Sequence, residues 1–216
     1  IEAIYTDFEK AFDKVPHQRL LSKLRSYGVR SEIIRWIESF LVHRQQRTGV
    51  RGHFSVWTKV LSGIPQGSVL GPLLFIIYIN DLPDMLGSEI YLFADDAKIF
   101  KHIKSERDIQ DLQQSCDALQ QWSDRWLLRL NVGKCMMIPI SAGIVKSGST
   151  YTLVKEGKVE ILQTVNKVKD LGIAVDSRLN FKDHIHDKVN KAYSMLGVIR
   201  RNFKHVDKNT FVTLYK

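Results

Sequence analysis

The chain has 216 residues, of which 44% are apolar and 25% charged, a balance typical of a globular protein that excludes a disordered tail. Its formal net charge of +9 favours a polyanionic partner, either nucleic acid or an anionic membrane surface. Cys116 and Cys135, the two cysteines, lack metal-ligand neighbours and indicate a reducing, intracellular compartment. The longest apolar run, residues 69–79, is too short to span a bilayer.

Hydrophobic period and turn residues predict the elements of the first half of the chain. They are a strand over 3–8, a helix from Pro16 to Gly28, a helix over 31–44 with Ser31 as its N-cap, a hairpin over 46–60, and an apolar helix over 68–82.

The second half continues the mixture of strands and helices. We expect two strands over 90–100 with an acidic pair between them, a helix over 105–131 opened by a capping box of Ser105 and Asp108, a strand over 134–141, a loop and hairpin over 142–160, a strand pair over 168–181, and a helix over 182–205 with Ile185, Val189, Leu196 and Ile199 on its apolar side. This order favours an α+β fold in which helices cover one face of an antiparallel sheet.

The acidic pair Asp95–Asp96 stands inside the apolar segment "IYLFADDAKIF". Taken alone, the pair is typical of a solvated turn. Buried unpaired carboxylates are costly, however, and a divalent cation such as Mg²⁺ would remove that cost. Asp7 ends the first predicted strand, and if that strand pairs with the 90–100 hairpin, three carboxylates converge on one sheet edge. Two metals ~3.5–4 Å apart could then support phosphoryl transfer, and the basic chain makes nucleotidyl transfer on nucleic acid the leading hypothesis.

Five segments carry a family resemblance. They are "YTDFEKAFDKVPHQRL", "GIPQGSVLGPLLFIIYINDLP", "YLFADDAKIF", "NVGKCMMIPIS" and "VKDLGIAVDSRLNF". In this order and spacing they resemble the reverse transcriptases of non-LTR, LINE-type (Jockey-like) retrotransposons. The resemblance implies a polymerase palm over 1–165, followed by a primer-grip hairpin and the start of a helical thumb over 166–216.

The same resemblance implies roles for the acidic residues and their neighbours. Asp7, Asp95 and Asp96 would hold two Mg²⁺ ions, with Mn²⁺ as a substitute, and the Phe8 carbonyl would add a ligand. Phe12 would exclude a ribose 2′-hydroxyl, although a core aromatic is the alternative reading. Asp13 is expected to be structural, for example as a cap of the helix around Pro16.

Further positions match other motifs of the family. Pro65, Gln66 and Gly67 resemble the loop along the incoming nucleotide and template, with a helix-start turn capped by Ser68 as the alternative. Lys134 resembles a lysine near the leaving pyrophosphate, and a lone surface lysine is the alternative.

The last matches concern the primer and the nucleic-acid backbone. Leu171 and Gly172 resemble the primer grip. The expected phosphate contacts on the thumb helix are Lys188, Lys191, Arg200 and Arg201, and a solvated helix face is the alternative there.

The implied substrates are an RNA template, a DNA primer and a dNTP, with no membrane, in a ribonucleoprotein of the nucleus and cytoplasm. The fingers and endonuclease regions of the parent polyprotein are missing, so we expect little or no polymerase activity from this fragment. A catalytically inactive nucleic-acid-binding remnant is the alternative. Ala94 and Phe12 argue against an RNA-dependent RNA polymerase, and a membrane-surface role has only net charge behind it.

Overall fold

A computed structural model of the chain describes residues 1–141, 149–203 and 207–215, without the side chains of residues 214 and 215. The chain forms two compact units, residues 1–139 with 145–165, and residues 140–144 with 166–216. The palm and thumb identities of the two predicted domains stay predictions.

The first unit combines helices with short and long strands. Its helices are Ala11–Lys14 (α1), His17–Ser26 (α2), Ser31–Leu41 (α3), Leu70–Ile79 (α4) and Glu106–Trp126 (α5). Its strands are Glu2–Thr6 (β1), Gln45–Gln46 (β2), Gly49–Val50 (β3), His53–Phe54 (β4), Thr58–Lys59 (β5), Glu89–Phe93 (β6), Asp96–Lys101 (β7), Met136–Pro139 (β8), Thr152–Lys155 (β9), Lys158–Ile161 (β10) and Gln163–Thr164 (β11). Single 3-10 turns lie at Pro83–Met85 and Val132–Lys134.

The second unit contains a strand pair followed by two helices. Its elements are Lys167–Asp170 (β12), Ile173–Asp176 (β13), Lys182–Asn202 (α6) and Lys208–Tyr215 (α7). The predicted strand pair over 168–181 and the predicted helix over 182–205 are therefore present, although α6 ends earlier and residues 204–205 lie outside the described residues. The apolar side predicted for this helix is not buried, since none of the described residues of α6 is.

The central sheet of the first unit has the strand order β11-β8-β1-β7-β6. β1 lies in the middle and pairs antiparallel with both β7 and β8. The edge pair β11–β8 is parallel, so the predicted antiparallel sheet is mixed at one edge. Two parallel strands can be joined only by a long connection. Between β8 and β11, the segment that carries the β9–β10 hairpin is that connection. The predicted loop over 142–160 falls partly outside the described residues, while its hairpin is β9–β10.

Helices and sheet share one hydrophobic core. It joins Ile4 of β1 to Leu20 of α2, Phe75 of α4 and Trp122 of α5, all fully buried. The fold therefore has the predicted α+β class. The capping box at α5 is also confirmed, because the Ser105 amide donates to the Asp108 carboxylate at 2.8 Å.

Several predicted element ends are wrong by a few residues. Ser31 is the first helical residue of α3, and its N-cap is Arg30. The helix α5 ends at Trp126 because Leu127 adopts a left-handed conformation with φ 58°. The turn between β6 and β7 is Ala94–Asp95, so Asp96 begins a strand and only Asp95 lies between strands.

The apolar helix α4 does not reach membrane-spanning length. Among the described residues, no helix is both long and apolar enough to cross a bilayer.

Candidate active site

Strand pairing brings Asp7 to the acidic pair. The last paired residues of β1 and β7 are Thr6 and Ala97, so the next residues on each strand, Asp7 and Asp96, face each other just beyond the ladder. Thr6 and Ala97 are buried, and Asp7 and Asp96 therefore lie on the opposite, more open face. Asp95 sits in the adjoining turn. The predicted meeting of the first strand with the 90–100 hairpin is thus present.

A cavity of about 500 Å³ opens at this edge of the sheet. Asp7 and Asp95 line it together, whereas Asp96 starts β7 as an exposed residue. The remaining lining comes from the segment after β1 and from the turn after α5, namely Phe8, Glu9, Lys10, Ala11, Lys14, Asn131 and Lys134. The cavity therefore combines carboxylates with ammonium groups in an open setting.

The backbone around Asp7 is fixed by a second segment of the chain. The Asn131 amide donates to the Asp7 carbonyl at 2.7 Å, and the Glu9 amide donates to the Arg129 carbonyl at 2.8 Å. Phe8 and Leu130 form a bridge between these two bonds. This pattern turns the Phe8 carbonyl away from residues 129–131 and towards the side on which β7 lies. Asn131 is not among the predicted site residues, because its contact depends on this long-range pairing.

Two lysines balance the acidic groups of the cavity. The Lys134 ammonium lies 3.6 Å from the Asp7 carboxylate. The Lys14 ammonium donates to the Glu9 carboxylate at 2.6 Å, and this hydrogen bond lowers the pKa of Glu9. Lys134 therefore contacts the acidic residue predicted to be catalytic.

The donor set fits a hard divalent cation only in part. Among the described residues, no three His, Cys, Asp or Glu side chains come close enough together to hold a metal ion. Asp7 and Asp95 nevertheless offer oxygen ligands to one solvent-open cavity, and Mg²⁺ ordinarily takes one or two protein carboxylates and completes its shell with substrate phosphates and water. Burial raises the pKa of the nearby Cys135 thiol to about 11, so at neutral pH it is not a thiolate ligand.

Phe12 packs against the core beside this region. Its ring stacks on Phe75 of α4 with centroids 4.5 Å apart. The side chain is only half-buried, so one part of the ring packs and another part faces outward. Both readings of Phe12, a core aromatic and a steric gate, are compatible with this position.

The loop Pro65–Gly67 is tied to the segment that carries Phe12. The Gln66 amide side chain donates to the Asp13 carboxylate at 2.9 Å, and the Ile64 amide donates to the Phe12 carbonyl at 2.8 Å. Gly67 has φ 79°, with open space where a Cβ would lie. The predicted cap role of Asp13 is wrong, because α2 has Pro16 at its N-cap without a side-chain bond and Asp13 binds the loop instead. Ser68 accepts the Gly71 amide at 3.0 Å, as a cap would, but the N-cap of α4 is the next residue, Val69, so the predicted cap is one residue off.

A buried lysine that the sequence patterns did not single out lies against α4 and α5. Lys23 of α2 is 3% exposed and donates to the Asp81 carboxylate at 2.5 Å and to the Tyr78 carbonyl. Its ammonium lies 3.7 Å from the ring centroid of Trp126 and 4.9 Å from that of Trp122. The available signal was that Lys23 falls at the edge of the apolar stripe of its helix.

The remaining predicted residues belong to the second unit. Leu171 and Gly172 form the two-residue turn of the β12–β13 hairpin, with φ 45° and 84°. The four basic residues expected at phosphates all lie exposed on α6, namely Lys188, Lys191, Arg200 and Arg201. Their roles stay predictions.

Comparison with known proteins agrees with the sequence motifs. Residues 3–198 match the family model described as "Reverse transcriptase (RNA-dependent DNA polymerase)". The "Probable RNA-directed DNA polymerase from transposon BS" of Drosophila melanogaster is 30% identical over 213 residues, covering 92% of this chain and 22% of that protein. The "RNA-directed DNA polymerase from mobile element jockey" of the same fly is 31% identical over 190 residues, covering 84% of this chain and 20% of that protein.

A solved structure supports the fold. The chain resembles "apo telomerase from Candida Tropicalis truncated from C-terminal domain" with a TM-score of 0.54 and 11% identity, over 83% of this chain and 34% of that one. This likeness concerns the fold alone. The chain spans about a fifth of the length of the two fly proteins it matches. The predicted resemblance to non-LTR retrotransposon polymerases is confirmed, and the chain belongs to the reverse transcriptase family.

Proposed function

We propose that this chain supplies the palm of a polymerase that extends a DNA primer on an RNA template within a longer protein. The observation that carries the proposal is the shared cavity of Asp7 and Asp95 at the end of β1 and the β6–β7 turn. The reaction forms a bond between the primer 3′-oxygen and the α-phosphorus of a dNTP. It breaks the bond from that phosphorus to pyrophosphate and releases the hydroxyl proton.

Asp7, Asp95 and Asp96 would hold two Mg²⁺ ions, or Mn²⁺ in their place, with the Phe8 carbonyl as a further oxygen donor. Bound there, the ions supply positive charge to the attacking and leaving oxygens. Lys134 lies beside Asp7 and is suited to neutralise or protonate the departing pyrophosphate.

The neighbouring residues would choose and orient the nucleotide. Phe12 is held by its stack on Phe75, and a rigid ring in that place excludes a 2′-hydroxyl by contact. Gln66 is anchored on Asp13, and the open Gly67 lets the loop backbone approach the nucleotide and template. The residues Pro65, Gln66 and Gly67 would thus form one wall of the binding site.

In the second unit, the turn Leu171–Gly172 would grip the primer. The exposed Lys188, Lys191, Arg200 and Arg201 would contact phosphates of the primer–template duplex. These contacts also support the second candidate, a remnant that binds nucleic acid without extending it, because charge and exposure suffice for binding.

The test is primer extension. Residues 1–216 replace the matching segment of the Drosophila jockey protein, and the hybrid receives an RNA template, a DNA primer, dNTPs and Mg²⁺. We expect extension by the hybrid, and a loss of about 100-fold or more with Asp95→Asn, because the metal-binding charge is lost. Asp84→Asn, an exposed carboxylate outside the cavity, is the matched control and should extend normally.

Two results would reject the proposal. One is a folded hybrid that binds primer–template but does not extend it, which would favour the binding remnant. The other is extension that survives Asp95→Asn unchanged. The 216-residue chain by itself is expected to show little or no extension.

A further inference from the structure

One segment of the chain has an unusual charge distribution that the proposed catalytic site does not use. The chain contains 23 acidic residues, yet residues 39–80 contain none. Within this stretch, residues 43–61 carry Arg44, Arg47, Arg51 and Lys59 together with two histidines. We name residues 43–61 the basic hairpin. Its charge is complementary to a polyanion.

The basic hairpin is an ordered double ladder. β2 pairs with β5, and β3 pairs with β4. The Val60 amide donates to the Arg44 carbonyl at 2.9 Å, which continues the outer ladder. Arg51 and Gly52 at the tip have φ 48° and 83°, the signs of a type I′ turn that fits a two-residue hairpin. The side chains along it therefore hold fixed relative positions.

Aromatic rings stand exposed on this ladder. Phe54 is 61% exposed and Trp57 is 58% exposed. The Arg47 guanidinium lies 4.0 Å from the ring centroid of Phe54 and 4.6 Å from that of Trp57. One cation thus contacts two exposed rings at cation–π distance. Exposed rings beside arginine form the kind of surface on which unpaired bases stack.

A basic cavity lies at the base of the hairpin. It measures about 320 Å³, and none of the described residues that line it is acidic. Its lining includes His43, Arg44 and Lys59. Arg44 is held in place, since its guanidinium donates to the carbonyl oxygens of Leu41 at 3.0 Å and Gly63 at 2.7 Å. A fixed cation with a lysine beside it suits a backbone phosphate.

The hairpin is joined to the candidate active site. The two residues after the hairpin bind the segment that follows β1. The Ser62 hydroxyl donates to the Asp13 carbonyl at 2.9 Å, and the Gly63 amide donates to the Val15 carbonyl at 2.8 Å. Asp13 in turn accepts from Gln66 of the proposed nucleotide loop. A strand held by the hairpin would therefore lie next to that loop.

We propose that the basic hairpin binds an unpaired nucleic-acid strand, with bases on Trp57 and Phe54 and phosphates at Lys59 and the basic cavity. The assignment of this strand as the RNA template rests on the proposed function, whereas strand binding itself does not. An acidic protein would match the charge, but it would leave the open rings without stacking partners. A duplex hides its bases from such rings and should bind less tightly.

The test is binding of the 216-residue chain to a labelled 12-nucleotide oligouridine by fluorescence anisotropy. EDTA is present, so that binding does not depend on the proposed metal site. We expect Trp57→Ala to weaken binding about fivefold or more, because one stacking partner is lost. Trp57→Phe keeps a ring and should retain most of the affinity. Trp36→Ala is the matched control, since Trp36 is 59% exposed but lies on α3.

The phosphate contact has its own measurement. Lys59→Gln should lower the slope of log affinity against log salt by about 0.7, the value for one single-strand phosphate. Lys155→Gln, an exposed lysine at the end of β9, should leave the slope unchanged. The same length of duplex RNA should bind more weakly than the single strand.

The proposal is overturned if Trp57→Ala binds as the wild type does, if Trp36→Ala weakens binding equally, or if duplex binds as tightly as single strand. Unfolding midpoints of the variants, followed by circular dichroism, confirm that each is folded. Strand binding is measured in EDTA and without dNTP, so it does not depend on the catalytic carboxylates. Failure of primer extension and failure of strand binding are therefore separate results.

Discussion

The first unit contains two lysine–aspartate pairs whose lysines have opposite surroundings. Lys23 and Asp81 meet at 2.5 Å, with the Lys23 side chain 3% exposed. Lys134 and Asp7 lie 3.6 Å apart, with side chains 68% and 36% exposed. We call the first pair the enclosed pair after its buried lysine, although Asp81 itself is 32% exposed, whereas the second pair borders an open cavity.

The enclosed pair is satisfied from several directions. Lys23 also contacts the rings of Tyr78, Trp122 and Trp126, and the Trp122 indole donates to Asp81 at 2.9 Å. Removing the ammonium would leave the buried Tyr78 carbonyl and the partly exposed Asp81 carboxylate without their shared partner, which is destabilising. The contacts of this pair therefore indicate a role in stabilising the fold.

The open pair has the properties of an exchangeable contact. Exposed ion pairs contribute little to stability, because water and salt compete with them. An acidic side chain held this loosely can take another cation. Trp122, which contacts Lys23 and Asp81, also has its ring centroid 6.1 Å from that of Phe8, the neighbour of Asp7.

The largest expected effect is at the enclosed pair. Lys23→Met keeps the aliphatic stem but leaves the buried Tyr78 carbonyl and the Asp81 carboxylate without their ammonium partner, so the free energy of unfolding should fall by about 3 kcal/mol. Urea denaturation measures this. The double variant with Asp81→Asn should recover part of the loss, because no unpaired charge remains. If Lys23→Met is as stable as the wild type, the Lys23–Asp81 pair does not stabilise the fold.

The same pair should give a pH dependence with a defined sign. Burial lowers the pKa of Lys23 from its usual 10.5 to about 8, although its hydrogen bond to Asp81 raises it. The unfolded chain therefore binds more protons than the folded chain between these two values, and stability rises with pH there. Relative to Lys23→Met, the wild type should gain up to about 3 kcal/mol from pH 8 to 10.5. If the stability difference between wild type and Lys23→Met stays flat or falls over this pH range, Lys23 is not a buried ammonium.

Two glycines extend the comparison between enclosed and open regions. Both Gly63 and Gly67 have positive φ. A Cβ on Gly63 would lie 2.5 Å from the Asp13 carbonyl oxygen, whereas a Cβ on Gly67 would have no heavy atom within 4 Å. Gly63→Ala should cost about 3 kcal/mol, from strain plus the clash, and Gly67→Ala about 1 kcal/mol from strain alone. Thermal unfolding of the two variants checks this, and equal losses would show that the backbone at residue 63 relaxes freely.

The smallest effect on stability is expected at the open pair. Lys134→Ala should change the free energy of unfolding by less than about 0.5 kcal/mol. Without this positive charge, Mn²⁺ should bind the chain more tightly in the absence of nucleotide. Isothermal titration gives the affinity. A large loss of stability, or weaker Mn²⁺ binding, would mean that Lys134 is a structural partner of Asp7.

The features that could be predicted from the sequence are those set by local residue patterns and by motifs. The period of apolar residues located the major helices, and the motif order located Asp7 and the acidic pair. Lys23 escaped because a lysine in an amphipathic helix is normally solvated, and only the distant Asp81, Trp122 and Trp126 enclose it.

Long-range pairings account for the other differences. Asp13 was expected to cap a nearby helix, but it binds Gln66, a residue 53 positions away. The parallel strand β11 has two residues and no alternation from which to predict it. Asn131 reaches Asp7 only because β1 and the turn after α5 meet in the fold.

The most direct test of the central claim is Mn²⁺ binding by the 216-residue chain, followed by water proton relaxation with and without dNTP. Asp7→Asn and Asp95→Asn should each weaken binding about tenfold or more, because one carboxylate ligand is lost. Asp13→Asn should bind as the wild type does, since Asp13 contacts the loop and does not line the cavity. Equal binding by wild type and Asp95→Asn would contradict a metal site shared by Asp7 and Asp95.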